Sequence, residues 1–126
     1  MTVTIVVDAS AVAAMLLDEP SAQMVRDRIV GAALVAPTLL AFEIANVCVL
    51  RQRRRPTEHS LAASHYALFQ RWDIALLPVE HAEVVALAAA TGLTAYDASY
   101  LWLSRQLNAD LVTLDRRLAL AASAIP

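Results

Sequence analysis

The sequence has 126 residues, a length that fits one domain, so we expect residues 1–126 to fold as a single unit. Hydrophobic residues make up 59% of the chain and charged residues only 17%, which excludes an intrinsically disordered protein. Ten basic and 12 acidic residues give a net charge of −2, which excludes a strongly basic nucleic-acid binder. Every basic residue is arginine, so chemistry that needs lysine is excluded as well.

Membrane and secreted classes are also disfavoured. The longest uncharged segments, 29–42 and 84–96, are shorter than the roughly 20 apolar residues of a membrane-spanning helix. The apolar start already contains Asp8, and the first basic residue is Arg26, which is not the pattern of a secretion signal. Cys48 is the single cysteine, so no disulfide framework is possible. We therefore expect a cytoplasmic protein without membrane association.

Strands and helices alternate along the chain. The apolar, β-branched run 3–7 is typical of a strand that is buried on both faces. Further strands are predicted at 34–36, 74–79 and 110–114, and helices at 9–17, 21–29, 38–55, 57–72, 80–91, 98–107 and 116–122. Thr38 and Asp97 are the predicted N-caps of two of these helices, and Gly92 is a predicted C-cap. This order predicts a three-layer α/β/α fold with a central parallel sheet of four or five strands.

Two acidic residues, Asp8 and Asp115, end apolar strands where the chain turns into a helix. Ligands of open parallel sheets bind outside the carboxyl ends of the strands, so these are the first candidate site residues. Ser10 follows Asp8 by two positions, and Thr113 precedes Asp115 by two, which gives the two strand ends a similar polar pattern. A role as ordinary turn formers remains open for both acids.

Two further acids occupy predicted helices. Glu43 lies within a long uncharged stretch, where a carboxylate is costly unless it is paired or binds a cation; an exposed helix face is the alternative. Asp97 stands at a predicted helix start, where capping alone would explain it. Asn46 lies one helical turn after Glu43 and could hold its carboxylate, or could simply be exposed.

If the four acids converge, their repulsion must be relieved by raised pKa values or by divalent cations. Hard oxygen ligands without His or Cys suit Mg²⁺ or Mn²⁺ better than Zn²⁺. Such ions can bind a scissile phosphate and lower the pKa of an attacking water. The pattern therefore favours nuclease chemistry.

Four segments together resemble the acidic motifs of the PIN domain. They are Val-Val-Asp8-Ala-Ser10, Glu43 in a helix opened by Pro37-Thr38, Leu93-Thr94-Ala95-Tyr96-Asp97-Ala98, and Leu111-Val112-Thr113-Leu114-Asp115. Their order and spacing, and the chain length, are similar to those of single-domain VapC-type toxins of bacterial toxin-antitoxin pairs. The resemblance covers nearly the whole chain and implies a PIN-like fold.

The resemblance also implies an activity and its residues. It implies a Mg²⁺- or Mn²⁺-dependent endoribonuclease that an antitoxin inhibits by placing its C-terminal segment in the acidic groove. The implied metal ligands are Asp8, Asp97 and Asp115, and Glu43 is implied as a ligand or as the group that orients the attacking water. Ser10 and Thr113 match supporting polar positions, and Asn46 is a further candidate for support.

Other expectations concern the surface and the chain end. Arg116 and Arg117 directly follow Asp115 and are candidates for RNA phosphate contacts, although a solvated helix start explains them equally well. The apolar excess predicts exposed patches that a homodimer contact and an antitoxin would cover. Family members often have a further short strand after the last helix, where this chain has only Ala124-Ile125-Pro126.

Two alternatives remain beside the nuclease hypothesis. An aspartate-based phosphoryl-transfer domain could use Asp8 as its phosphorylated residue, but related families place a lysine near the phosphoryl group, and this chain has none. A catalytically inactive PIN-fold interaction module is the other alternative, although all four acids are present.

Overall fold

The computed structural model describes residues 2–57 and 61–124. The described strands are β1 (Thr4–Val7), β2 (Ala33–Pro37), β3 (Ile74–Leu77) and β4 (Asp110–Val112). The described helices are α1 (Ala9–Leu16), α2 (Ala22–Ile29), α3 (Leu40–Arg54), α4 (Leu61–Gln70), α5 (His81–Thr91), α6 (Ala95–Leu107) and α7 (Arg116–Ser123). The predicted alternation of strands and helices is confirmed. The helix predicted from residue 57 is described from Leu61; Thr57 lies in a turn, and Glu58 lies outside the described residues.

The strands form one parallel sheet in the order β3-β2-β1-β4. In the register of the central pair, Val6 lies beside Val35 on one side and beside Leu111 on the other. The chain thus moves outward from β1 to β3 and then returns to the opposite side of β1. Strand order therefore reverses between β1 and β4, and the carboxyl ends of these two strands flank the crevice in which parallel sheets bind ligands.

Helices cover both faces of the sheet. Parallel crossovers are right-handed, so connections that run in opposite directions along the sheet place their helices on opposite faces. Accordingly α1 to α4 pack on one another, and α5 packs on α6 and α6 on α7. The core between these layers includes Val6, Leu40, Ile44, Tyr100 and Leu101, all nearly inaccessible to solvent. The expected three-layer fold is confirmed, with four described strands.

Two predicted helix caps are wrong in detail. Helix α6 begins three residues earlier than predicted, and its N-cap is Thr94, whose hydroxyl accepts the N–H of Asp97 at 3.1 Å. The N-cap of α3 is Leu39, which makes no side-chain capping bond, and Thr38 lies just outside the helix. Gly92 is the left-handed C-cap of α5, as predicted. Asp97 is therefore not used for capping, and its carboxylate is left for another role.

No single helix among residues 2–57 and 61–124 is long and apolar enough to cross a membrane; only α5 and α6 taken together, bent by 108° at their junction, reach that length and apolarity.

Candidate active site

Asp8 occupies the end of β1 and is almost completely buried, with 4% of its surface exposed. One carboxylate oxygen, Oδ1, accepts the Ser10 hydroxyl at 2.7 Å and the N–H of Ala11 at 3.0 Å, which caps α1. The other oxygen, Oδ2, accepts the Thr113 hydroxyl at 2.5 Å. These three bonds fix the orientation of the carboxylate.

Ser10 and Thr113 connect the ends of β1 and β4. The Ser10 hydroxyl oxygen accepts the N–H of Leu114 at 2.9 Å, and the Thr113 hydroxyl oxygen accepts the N–H of Asp115 at 3.0 Å. Each hydroxyl thus donates to Asp8 and accepts from the backbone that leads to Asp115. The two predicted supporting residues therefore lie beside Asp8, and they couple its position to that of Asp115.

Replacement of Thr113 by Val is expected to lower the free energy of unfolding by about 1 to 3 kcal/mol. Val keeps the shape of the buried side chain but leaves both Asp8 Oδ2 and the N–H of Asp115 without the hydroxyl, and a lost partner costs this much in a buried site. Urea denaturation of the metal-free protein at neutral pH measures the change. Thr2→Val, at an exposed position, is the matched control, and equal stability of the two variants would contradict the bridging role of Thr113.

Asp115 and Asp97 stand at helix starts on the same side of the molecule. Asp115 is the N-cap of α7, and its Oδ1 accepts the N–H of Leu118 at 2.9 Å, which leaves Oδ2 without a capping role. Asp97 lies in the first turn of α6 and is partly buried. Both carboxylates are therefore held near positive ends of helices, which favours negative charge there.

Glu43 reaches this site from the first turn of α3. Its Oε1 accepts the hydroxyl of Tyr100 at 2.6 Å, and Tyr100 is 1% exposed. The bond joins α3 to α6 and holds a carboxylate within an otherwise apolar stretch. The sequence analysis did not single out Tyr100 and missed this contact. The available signal was the spacing of three between Asp97 and Tyr100, which places both on one face of α6.

The four acids influence one another electrostatically. Burial raises the pKa of Asp8 above its ordinary 3.8, and the charge of Asp115 raises it further. Burial also raises the pKa of Glu43 and of Asp97, with added repulsion from Asp97 and Asp8 on Glu43, and from Asp115 and Asp8 on Asp97. The structure thus links the four predicted acids by repulsion: Asp115 acts on Asp8 and Asp97, and these two act on Glu43. Their combined repulsion is the kind that a cation relieves.

The donor set suits a hard divalent cation. It consists of carboxylate and hydroxyl oxygens, without His or Cys, as Mg²⁺ and Mn²⁺ prefer. Among the described residues, no group of three or more His, Cys, Asp or Glu side chains is arranged to hold a metal ion by itself. Mg²⁺ does not require such a group, because it keeps several waters and is usually held by one or two carboxylates together with substrate phosphates. The residues therefore fit the ion in chemistry and charge.

The remaining predicted residues surround this acidic site. Arg117 is exposed and donates to the backbone carbonyl of Gly92 at 3.0 Å, and its charge lowers the pKa of Asp97. Arg116 and Asn46 are also exposed. The described partner of Glu43 is Tyr100 rather than Asn46. A role of Asn46 in support, and of Arg116 and Arg117 in RNA binding, stays a prediction.

Comparisons with known proteins identify the family of the chain. The PIN domain family matches residues 5–123. The chain is 37% identical over 123 residues to Ribonuclease VapC3 of Pyrobaculum aerophilum, covering 91% of this chain and 92% of that protein. It superposes on the crystal structure of PAE2754 from Pyrobaculum aerophilum with a TM-score of 0.75 at 28% identity, over 99% of this chain and 90% of the other. The chain therefore belongs to the PIN domain family, among its VapC-type members.

Proposed function

We propose that this chain is the toxin of a toxin-antitoxin pair and acts as a Mg²⁺- or Mn²⁺-dependent endoribonuclease. The observation that carries the proposal is the meeting of Asp8, Glu43, Asp97 and Asp115 at one edge of the sheet, with repulsion among their carboxylates. A related protein named as a ribonuclease, at 37% identity over most of both chains, supports the same activity.

Asp8, Asp97 and Asp115 are the proposed ligands of the cation. When bound, the cation lowers the pKa of a water and stabilises negative charge on the phosphate and on the leaving oxygen. Asp8 is held ready by Ser10, Ala11 and Thr113 and needs little rearrangement. Preorganisation of this kind lowers the cost of reaching the transition state.

Glu43 is proposed to orient the attacking water or to contribute as a ligand. The hydroxyl of Tyr100 occupies Oε1, which leaves Oε2 to accept a hydrogen bond from a water. Arg117, whose guanidinium interacts with Asp97, and the neighbouring Arg116 are proposed to contact RNA phosphates beside the acids.

The proposed partners are an RNA substrate and an antitoxin that occupies the acidic groove. Large apolar side chains on the surface are available for contact with protein partners. Val30 and Leu120 are 82% and 71% exposed. A homodimer and a toxin-antitoxin hetero-oligomer, both in the cytoplasm, are therefore part of the proposal.

Removal of the metal is expected to stop RNA cleavage. Purified protein should cleave single-stranded RNA in the presence of Mg²⁺ or Mn²⁺, fall to background with EDTA, and recover when the cation is added in excess. Gel analysis of a labelled single-stranded RNA measures the rate. Asp8→Asn protein purified in parallel controls for contaminating nucleases, and cleavage that survives EDTA would contradict the proposal.

A further inference from the structure

Two aromatic side chains stand out by their exposure. The chain has two Phe, two Trp and three Tyr, all of which the structure describes. Only Phe42 and Tyr96 are exposed, at 85% and 66%. Tyr96 directly precedes Asp97, and Phe42 directly precedes Glu43. Exposed rings beside a polar site do not serve the core and are available to stack on a ligand.

Tyr96 lines an open cavity of about 250 Å³ whose walls are largely apolar. The walls come from the loops after β2 and β3 and from α5 and α6, and include Leu39, Val79, Val84 and Val85. Thr38 and His81 add polar groups to the lining. Cavities for drug-sized ligands usually measure about 300 to 1,000 Å³, so this one suits a single flat ring system.

The position of the cavity relates it to the acids. It lies beyond the carboxyl ends of β2 and β3, whereas Asp8 and Asp115 lie beyond those of β1 and β4. Neighbouring strands are about 4.8 Å apart, so the cavity and the acids are separated by roughly two strand spacings along the same edge. Ala95 and Tyr96 connect the two regions, because they lead directly into Asp97. A nucleic acid strand bound at the acids can thus reach the cavity with a neighbouring nucleotide.

We propose that this cavity is a base-binding subsite, in which an unpaired RNA base near the scissile phosphate stacks on Tyr96. The inference rests on the proposed ribonuclease function and deepens it. Apolar walls and an exposed ring suit the face of a base, and Thr38 and His81 can bond to its edge. A base in a duplex cannot enter, so the substrate must be single-stranded or looped at the cleavage site.

Binding of short single-stranded oligoribonucleotides tests the subsite apart from cleavage. Fluorescently labelled oligoadenylate and oligouridylate, and abasic oligomers of the same length and charge, are titrated against Asp8→Asn protein with and without Tyr96→Ala. Loss of the ring is expected to weaken binding of the base-bearing oligomers by about 5- to 150-fold, the range for one stacked base, and to leave abasic binding unchanged. Tyr96→Phe keeps the ring and should keep the affinity.

Phe42→Ala is the matched control. It removes a ring that is more exposed than Tyr96 and that also precedes an acid, but this ring lines a different cavity, of about 120 Å³, with Ala41, Ala45 and Tyr66. Its effect on the base-bearing oligomers should be small. A loss as large as that of Tyr96→Ala would overturn the assignment to the Tyr96 cavity, and so would equal weakening of base-bearing and abasic oligomers.

Two outcomes separate this inference from the proposed function. If the wild-type chain cleaves RNA with metal but Tyr96→Ala does not change oligomer affinity, the ribonuclease function is supported and the subsite is overturned. Base-dependent binding that requires Tyr96, without cleavage, would keep the subsite and overturn the ribonuclease. If Tyr96→Ala abolishes co-purification of a co-expressed antitoxin and leaves RNA binding intact, the cavity is a protein-binding site and the inference is wrong.

Discussion

Replacement of Asp8 by Asn is expected to abolish RNA cleavage and, at the same time, to stabilise the metal-free protein. Asn removes the buried negative charge proposed to bind the cation, and loss of one preorganised electrostatic group costs about 10³-fold in rate. The fold should tolerate the change. Asn Oδ1 can still accept hydrogen bonds from Ser10 and Ala11. In the native protein the Thr113 hydroxyl donates to Asp8; in the variant the direction reverses, and the Asn amide donates to the Thr113 hydroxyl oxygen.

The gain in stability follows from the raised pKa of Asp8. The folded state keeps this carboxyl protonated to higher pH than the unfolded state, whose pKa lies near the ordinary 3.8. The stability that the protonated Asp8 carboxyl contributes to the fold is therefore fully present below pH 3.8. It is lost as pH rises through the folded-state pKa of Asp8. At neutral pH the ionised group destabilises the metal-free fold, and Asn relieves this cost by about 0.5 to 2 kcal/mol, the usual size of stabilising substitutions.

Thermal unfolding in EDTA across a series of pH values measures this effect. The wild-type protein should lose stability as pH rises from below the ordinary Asp pKa toward neutrality, and Asp8→Asn should lose less over the same range. Asp110→Asn is the matched control, because Asp110 is exposed and lies at the start of β4 rather than at its carboxyl end. A destabilised Asp8→Asn protein would contradict the electrostatic account, which expects a gain in stability. Its loss of activity could then reflect loss of the fold.

The sequence predicted much of this fold and site because the signals were local. Asp8 and Asp115 each follow an apolar strand, and a parallel sheet places all such ends at one edge. Glu43 could be singled out because a lone carboxylate in an apolar stretch needs a partner. The position of β4 beside β1, which brings Asp115 next to Asp8, depends on the crossover of the whole chain and is not visible in any segment.

The parts that could not be predicted depend on tertiary contacts. Asp97 looked like a cap because a capping preference is local, but the N-cap is Thr94, three residues earlier, whose hydroxyl accepts the N–H of Asp97 itself. No local pattern singled out Tyr100, whose hydroxyl donates to the Glu43 carboxylate, 57 positions away in sequence. The exposure of Tyr96 likewise depends on how α5 and α6 meet the sheet, which no local pattern encodes.

Replacement of Tyr100 by Phe is expected to slow RNA cleavage by about 10- to 100-fold without unfolding the protein. The hydroxyl of Tyr100 holds Glu43 Oε1 at 2.6 Å, and a hydrogen bond to a charged group contributes about 1.5 to 3 kcal/mol. Phe fills the same buried space, so the core should remain packed. Tyr100 is thus a positioning residue, which acts through Glu43.

The pH dependence of cleavage distinguishes this role from a merely structural one. Burial raises the pKa of Glu43, and the bond from Tyr100 opposes that rise. Without the hydroxyl the pKa of Glu43 rises further, so Glu43 stays protonated to higher pH. The acidic limb of the pH–rate profile therefore shifts to higher pH. Single-turnover rates across pH, with RNA affinity measured separately in Asp8→Asn and Asp8→Asn/Tyr100→Phe proteins, test this expectation.

Tyr66→Phe provides the matched control for Tyr100→Phe. Tyr66 is a partly buried tyrosine on α4 that packs on Phe69 with ring centroids 5.5 Å apart, and it has no described bond to a site acid. Its replacement should leave both the rate and the pH profile unchanged. If Tyr100→Phe lowers the rate by the same factor at every pH, the hydroxyl supports the helix packing rather than the charge of Glu43. If RNA affinity is unchanged and the acidic limb shifts to higher pH, the Tyr100 hydroxyl acts on the reacting water through Glu43. Glu43 Oε2 is the oxygen that Tyr100 leaves free for that water.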